Sequence, residues 1–320
     1  FALSNKETQL GEQALNALLI SGKERRDIET VYTTGVKLLT QYPDSKNAEA
    51  TMGVMIDAFV DVAQFRLLAV YLEQYARKYP DDKNSPTFLY QAGQIRELLG
   101  HDQVSNRNYS GYLKASSAKG VLEDAVIFSM ADNAEAMQEV NTAIQLLSRY
   151  KKRLSRSGKI RADARLANLN FRAGHGKQAA LYRQRAYKAY APGLAKKDAA
   201  MRDAVAQMVF NAVDKSYQRY MQIALGHKID NAVVQTKSKL LEKLEKGYHE
   251  VVQYQSPNWT LAALHRSYEI NREFALFLQN APLPKLSEEQ KVQYRELIAQ
   301  KAKAYMDKAE QYRAASVTQA

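Results

Sequence analysis

Two helix-ending tetrapeptides recur in this sequence at a spacing that restricts the architectures open to it. They are Gln41-Tyr42-Pro43-Asp44 and Lys78-Tyr79-Pro80-Asp81, which lie 37 residues apart, and Ala191-Pro192 marks a further stop. Proline disfavours the helical backbone in the residue before it, so each stop closes a helix. A repeat of roughly 34 to 40 residues with two helices per unit is typical of an α-solenoid. One helical hairpin cannot bury its own apolar face, so neighbouring hairpins must stack.

Helical periodicity of apolar residues is found along nearly the whole chain. It predicts three hairpins near the N-terminus and one more from about residue 160 to Pro192, and a capping box at Ser4 and Glu7 begins the first helix. In the first pair, Leu10, Ala14, Ala17 and Leu18 share one face before a break at Ser21-Gly22, and the second helix carries Ile28 to Leu39 and stops at Tyr42-Pro43. The next pairs cover residues 47–62 and 65–79, and 85–99 and 101–114. Glycine and proline together number 21 of 320 residues, below the roughly 12% of an average chain. This scarcity argues against a β-sandwich or β-barrel.

The chain beyond Pro192 predicts longer helices. They should cover residues 198–225, 231–254, 257–279 and 287–314, with Ser256 as an N-cap before Pro257 and a capping box at Ser287 and Gln290. Helices of this length exceed a standard repeat. We therefore expect an all-α protein with helical repeats over residues 1–193 and a C-terminal long-helix bundle or cap over residues 194–320.

Small residues at fixed places in the hairpins carry a resemblance to a known repeat. Met52-Gly53, Ala92-Gly93 and Leu166-Ala167 fit the mid-helix position where two helices approach closely. Gly100 with Ser105, and Gly174 with Ala179, fit the turn and the small residue after it. The hairpins thus resemble tetratricopeptide repeats, although the tryptophan of that repeat's first helix is missing. The resemblance implies a protein-interaction scaffold.

The C-terminal half carries a second resemblance. Its segments 248–251, 256–266, 274–278 and 281–284 are similar to the C-terminal region of tetratricopeptide-repeat proteins from gliding-motility and related envelope machinery of deltaproteobacteria. This resemblance implies a periplasmic or outer-membrane-associated scaffold, and it offers no catalytic residues.

Cysteine is absent, which excludes disulfides and thiolate chemistry. The chain begins Phe1-Ala2-Leu3 rather than with methionine. Both features favour an exported protein, with a cytoplasmic location as the alternative. No run of eighteen apolar residues is present, so the sequence predicts no transmembrane helix.

The net charge of +12 is concentrated in one stretch. Residues 149–188 contain thirteen Lys or Arg and one acid, Asp163, whereas residues 120–148 contain five acids and no Lys or Arg. The basic stretch is open to three interpretations: a face paired with the acidic segment, a docking surface for an acidic protein or an anionic envelope polymer, or a nucleic-acid site. No recognised nucleic-acid motif accompanies it.

Spacing places the basic side chains on two adjacent helices. Arg161, Arg165 and Arg172 share one side of the first helix, because they lie four and seven residues apart. The predicted partner-binding residues are these three arginines together with Lys177, Tyr182, Arg185 and Lys188. We expect an acidic or envelope-associated protein partner, with a polyanion or nucleic acid as the alternative.

Catalytic and metal-binding patterns do not assemble. The five histidines lack H-x-x-x-H spacing, Ser116-x-x-Lys119 has no companion motif, and Ser157-Gly158-Lys159 lacks the rest of a P-loop and indicates a turn between helices. The sequence therefore predicts no enzyme activity, metal, cofactor or small-molecule substrate. Two classes remain: a protein-interaction scaffold and a polyanion binder.

Overall fold

The computed structural model describes residues 9–116, 121–226, 231–283 and 286–319. Of these residues, 84% are helical, and none is in a β-strand. The all-α prediction is confirmed. The capping box predicted at Ser4 and Glu7 lies outside the described residues.

The chain divides into two compact units, an N-terminal unit of Phe1–Arg153 and a C-terminal unit of Leu154–Ala320. The helices of the N-terminal unit are α1 (Gln9–Glu24), α2 (Ile28–Gln41), α3 (Ala48–Asp61), α4 (Phe65–Lys78), α5 (Ser85–Leu98), α6 (Asp102–Ala115), α7 (Val121–Ala136) and α8 (Val140–Tyr150), followed by a 3-10 turn at Lys151–Arg153. Those of the C-terminal unit are α9 (Arg156–Arg172), α10 (Gly176–Ala189), α11 (Pro192–Ala195), α12 (Ala199–Met221), α13 (Asn231–Gln253), α14 (Pro257–Gln279) and α15 (Glu288–Gln319). The predicted domain boundary at residues 193/194 stays a prediction.

One turn geometry recurs in five successive hairpins. Each turn has a single residue with a left-handed backbone, at 36- to 38-residue intervals: Arg26, Ala63, Gly100, Gln138 and Gly174. The same two hydrogen bonds close every turn. In the third, the amides of Gly100 and His101 donate to the carbonyls of Glu97 and Arg96, which is the Schellman arrangement. Only the turns at Gly100 and Gly174 could be recognised from the sequence, because the residues at the other three turns rarely adopt a left-handed backbone.

These turns define a common register for the buried side chains. The fifth residue after the turn is always buried: Val31, Leu68, Ser105, Ala143 and Ala179. So is the twelfth: Leu38, Tyr75, Tyr112, Tyr150 and Ala186. The spacing of seven keeps both positions on one helical face. The hairpin-repeat prediction is thus confirmed, and hairpin α7–α8, for which the sequence made no prediction, extends the repeat.

Hairpins of the N-terminal unit stack in a regular way. The second helix of each pair packs against the first helix of the next, in the contacts α2–α3, α4–α5 and α6–α7. The predicted stops at Pro43 and Pro80 are confirmed, and equivalent hydrogen bonds are found at the two stops. The amides of Tyr42 and Tyr79 each donate to the carbonyl four residues earlier.

The C-terminal unit departs from this stacking. Here α12 packs against α9, the first helix of the preceding hairpin, while α10 packs chiefly on α9 as well. The connection between α10 and α12 contains the short helix α11, with Pro192 in its first turn. The long helices then pack in sequence around a core that includes Tyr220, Tyr248 and Phe274.

The predicted long helices are confirmed with small changes at their ends. Ser287 and Gln290 form the expected capping box, since each side chain bonds to the other's backbone amide. Ser256 is the N-cap residue of α14, but its hydroxyl does not cap the helix. It donates instead to Asp203 of α12, at 2.7 Å.

Three local predictions were wrong. Gly53 lies in open space, because a Cβ there would meet nothing within 4 Å; Gly93, as predicted, lies at a close approach, where an added Cβ would be 2.5 Å from the Tyr109 ring. The helix expected from about residue 160 begins at Arg156, because the Ser155 hydroxyl caps it by accepting from the Gly158 amide. Ser157 and Gly158 consequently lie in the first turn of α9 and not in a turn between helices.

Candidate binding surface on the C-terminal unit

The predicted partner-binding residues lie on α9 and α10. Arg172, Lys177, Arg185 and Lys188 are exposed, and the other three residues, Arg161, Arg165 and Tyr182, are half-buried. The half-buried positions follow from packing, because α9 lies between α10 and α12 and nine of its seventeen residues are buried. The exposed part of the surface is therefore carried by α10 and the end of α9. The role of these residues in binding stays a prediction.

Side chains on α10 show how this exposed part is arranged. Arg185 lies over the Tyr182 ring, with its guanidinium carbon 5.5 Å from the ring centroid. No carboxylate in the described part of the chain forms an ion pair with Lys177, Arg185 or Lys188. An exposed helix carrying three unpaired cations offers charge to a partner without first breaking internal pairs.

The acidic segment at 120–148 does contribute one pair to the basic stretch. Glu123, almost fully buried, accepts a hydrogen bond from Arg153, which also donates to the carbonyls of Leu113 and Ser116. All of these residues belong to the N-terminal unit. This pair joins α6, α7 and the 3-10 turn, so Arg153 serves the fold rather than a binding surface.

A wedge-shaped groove lies beside α10, between that helix and α12. We call it the α10–α12 wedge. Its first cavity has a volume of about 150 Å³, and its lining includes Phe171, Ala180, Arg183, Met208 and Asn211. The wedge exists because α12 packs on α9, which leaves the side of α10 that faces α12 partly uncovered.

Polar groups of α9 and α12 line one wall of the first cavity. The Asn211 amide donates to the Asn168 side chain at 3.2 Å, and the Asn168 amide reaches Gln207 at 3.4 Å. At the mouth, Phe171 is 48% exposed, and the Lys215 ammonium lies 5.5 Å from the centroid of its ring. The cavity thus combines amide groups, a cation and an accessible aromatic ring.

A second cavity of about 230 Å³ continues the wedge toward α13. It shares Arg183 and Ala212 with the first cavity, and its lining also includes Tyr187, Lys243 and Glu250. Burial, together with the charge of Glu250, raises the pKa of Tyr187 to about 12. Tyr187 is therefore a neutral hydroxyl beside Glu250 at physiological pH.

Sequence reasoning located the charge but missed the wedge. Asn168, Arg183, Asn211 and Lys215 were not predicted, because the wedge arises from the packing of α12 and not from any local motif. One sequence signal was available: Arg183 lies within the inward-facing arc of α10, four residues after Ala179 and three before Ala186, both of which are buried.

The histidines and the Ser116 motif were the candidates for metal binding and catalysis in the sequence. No group of three or more histidines or acids suited to a metal occurs among the described residues. Lys119 of the Ser116 motif and His227 lie outside them. None of the described helices is both long and apolar enough to cross a membrane.

Comparisons with known proteins do not assign this chain to a family. No protein-family model matches the chain, and no curated protein matches it significantly. The crystal structure of a tetratricopeptide repeat protein from Parabacteroides merdae ATCC 43184 aligns with 90% of this chain and 98% of that chain, at 10% identity and a TM-score of 0.35. A score this low carries no argument, so the repeat assignment rests on the five equivalent turns.

Proposed function

We propose that this protein is a non-enzymatic protein-interaction scaffold that binds an acidic partner through the basic surface of α9 and α10. The observation that carries the proposal is α10 itself. Its Lys177, Arg185 and Lys188 are exposed and lack ion pairs with described carboxylates, and only Ala179 and Ala186 of the helix are buried. Like charges this close on one helix cost stability, so folding alone gives no reason to collect them.

The distribution of charge along the chain supports the same proposal. The N-terminal unit has 18 Lys and Arg against 19 Asp and Glu, whereas the C-terminal unit has 28 against 15. The C-terminal unit therefore has a net charge of +13. A field of this strength attracts acidic partners and speeds their association.

We further propose that the partner belongs to a bacterial envelope assembly and that the protein acts in the periplasm or at the outer membrane. The lack of cysteine and the resemblance of residues 248–284 to envelope and motility proteins support this part. Fractionation of the native host, with antibody detection of the chain, tests it; recovery in the cytoplasm would contradict it.

Charge reversal on α10 tests the binding surface. In the variant Lys177→Glu, Arg185→Glu, Lys188→Glu, we expect at least a tenfold loss of affinity for a fluorescein-labelled acidic peptide, measured by anisotropy. The matched control reverses three exposed cations of the N-terminal unit, Lys46, Arg66 and Lys83, and so changes the net charge equally. Equal losses in both variants would show attraction by net charge alone and would contradict the proposed surface.

A second variant tests the predicted partner-binding arginines of α9. Reversal of Arg161, Arg165 and Arg172 to Glu should also abolish capture of the peptide while helicity stays intact. Because Arg161 and Arg165 are half-buried, circular dichroism must accompany this measurement. Tighter binding of an oligonucleotide than of the acidic peptide, with a steeper salt dependence, would favour the polyanion alternative.

A further inference from the structure

An arginine occupies a core position of the helical-hairpin repeat. The ninth residue after the left-handed turn residue is apolar or glycine and buried in the first four hairpins: Gly35, Leu72, Tyr109 and Leu147. In the fifth hairpin this residue is Arg183, and it is half-buried. The positions on either side of it, Ala179 and Ala186, keep the burial of the repeat.

Stability does not explain the exchange. Arg183 lines both cavities of the α10–α12 wedge, and no carboxylate among the described residues pairs with it. Glu250 lines the second cavity but interacts with Tyr187 and accepts a hydrogen bond from Tyr254. A partly desolvated guanidinium without an anion is unfavourable. The chemistry of the position therefore indicates an anion supplied from outside.

The walls on either side of Arg183 restrict what that anion belongs to. Beside the amides and the Lys215 ammonium described above, the first cavity has small or apolar walls from Ala167, Ala180, Met208 and Phe171. Beside Lys243 and Glu250, the second has Val209, Val213 and Leu244. Each cavity has the size of a single side chain, and Arg183 stands where they meet. A ligand that suits the wedge has an acidic group between two apolar groups.

We propose that the α10–α12 wedge binds a short acidic segment of a partner protein, with a carboxylate on Arg183 and flanking apolar side chains in the two cavities. This inference rests on the proposed function, and it identifies the contact that would make the binding of the partner specific. Arginine holds a carboxylate through two parallel hydrogen bonds. Nucleic acid is the poorer occupant, because contacts to its phosphates make no use of apolar walls.

Replacement of Arg183 by the residue of the regular hairpins provides the test. The variant Arg183→Leu restores the apolar side chain found at Leu72 and Leu147, so we expect it to fold. The probe is a fluorescein-labelled peptide of alternating glutamate and leucine, with a polyglutamate peptide for comparison. We expect Arg183→Leu to weaken binding of the mixed peptide at least tenfold. Lys197→Leu, which removes an exposed charge of the same unit outside α10 and outside the lining of both cavities, should change it less than threefold.

Two further variants separate charge from shape. Arg183→Lys keeps the charge but loses the planar fork, so it should recover only part of the affinity. Ala212 lines both cavities, so the larger side chain of Ala212→Leu should fill part of their space. We expect this variant to bind the mixed peptide more weakly and polyglutamate with unchanged affinity. Circular dichroism and thermal unfolding establish that each variant is folded.

The outcomes distinguish this inference from the proposed function. If reversal of Lys177, Arg185 and Lys188 abolishes binding but Arg183→Leu behaves like Lys197→Leu, the wedge inference is wrong and the proposed function stands. If neither variant changes binding, both are wrong. A single-stranded oligonucleotide that bound as tightly as the mixed peptide, and lost affinity in Arg183→Leu, would indicate a polyanion as the ligand. This result would also overturn the inference.

Discussion

The two units of this chain use one hairpin repeat in different ways. In the N-terminal unit each second helix covers the first helix of the next hairpin, and the charges of the unit nearly cancel. In the C-terminal unit α12 packs on α9, the side of α10 toward α12 stays partly open, and the net charge is +13. The region where stacking becomes irregular is therefore also the region that gathers positive charge. The proposed binding surface thus lies where one hairpin lacks the cover that regular stacking provides.

Buried charge is the feature of the C-terminal unit with the largest expected effect on stability. Lys237 is fully buried, and its ammonium donates to the Ile223 carbonyl and to Glu273, at 2.7 and 2.9 Å. It also lies over the rings of Tyr220 and Phe277. We expect Lys237→Ala to reduce the free energy of unfolding by about 3–5 kcal/mol, measured by urea denaturation, because it removes a buried ion pair and leaves a cavity.

The control for this variant is Lys237→Met, which keeps much of the side-chain volume and removes the charge. It should cost about half as much or less, since apolar replacement of a buried ion pair is often tolerated. Equal losses in both variants would show that the charge itself, and not the packing, holds α13 against α14.

Close helix approach is the corresponding feature of the N-terminal unit. A Cβ added at Gly93 would lie 2.5 Å from the Tyr109 ring, so Gly93→Ala should destabilise the protein by about 2 kcal/mol through overpacking. Gly53, also within a first helix, has open space. Gly53→Ala should therefore stabilise by about 0.5–1 kcal/mol, from helix propensity alone. Thermal unfolding of both variants measures the difference, and a stabilising Gly93→Ala would contradict the close packing of α5 on α6.

Acid should weaken the N-terminal unit through Glu73. Arg96 holds this carboxylate by two hydrogen bonds, and Asn108 by a third at 2.8 Å. Burial opposes ionisation, but these bonds outweigh it and lower the pKa of Glu73 below its usual 4.5. A lowered folded-state pKa gives stability above the unfolded-state pKa, and that stability is lost as pH falls through the folded-state value. Glu73→Gln should cost about 1.5 kcal/mol at pH 7 and flatten the loss of stability below pH 4.5.

Urea denaturation at pH 7 and at pH 3.5 measures this dependence. The exposed Glu24 provides the control, because Glu24→Gln changes the same group without a buried partner. Unchanged acid sensitivity in Glu73→Gln would show that other carboxylates dominate the response.

Local sequence signals predicted much of the fold. Proline stops and helix caps follow from backbone sterics and hydrogen bonding near one residue, so Pro43, Pro80 and the Ser287 capping box were recognised. Arg26, Ala63 and Gln138 were missed, since residues other than glycine rarely adopt a left-handed backbone and carry no turn signal of their own. The wedge was missed for a related reason: it depends on where α12 packs. Only the charge of the candidate site could be seen in the sequence.

The turns provide the smallest and most direct comparison between the units. Ala63 in the N-terminal unit and Gly174 in the C-terminal unit occupy equivalent turn positions with φ of 54° and 79°, and both are exposed. Alanine pays a steric penalty of about 1–2 kcal/mol in this conformation, partly offset by the greater chain entropy of an unfolded glycine. Ala63→Gly should therefore stabilise the protein by about 0.5–1 kcal/mol.

The reverse exchange, Gly174→Ala, should destabilise the protein by a similar amount, because no other atom lies within 4 Å of a Cβ at that position and only backbone strain is added. Urea denaturation of both variants, and of Gly100→Ala as a second glycine turn, gives the sign and size of each effect. If Ala63→Gly lowers stability, the chain entropy of an unfolded glycine outweighs the steric penalty of alanine in this turn.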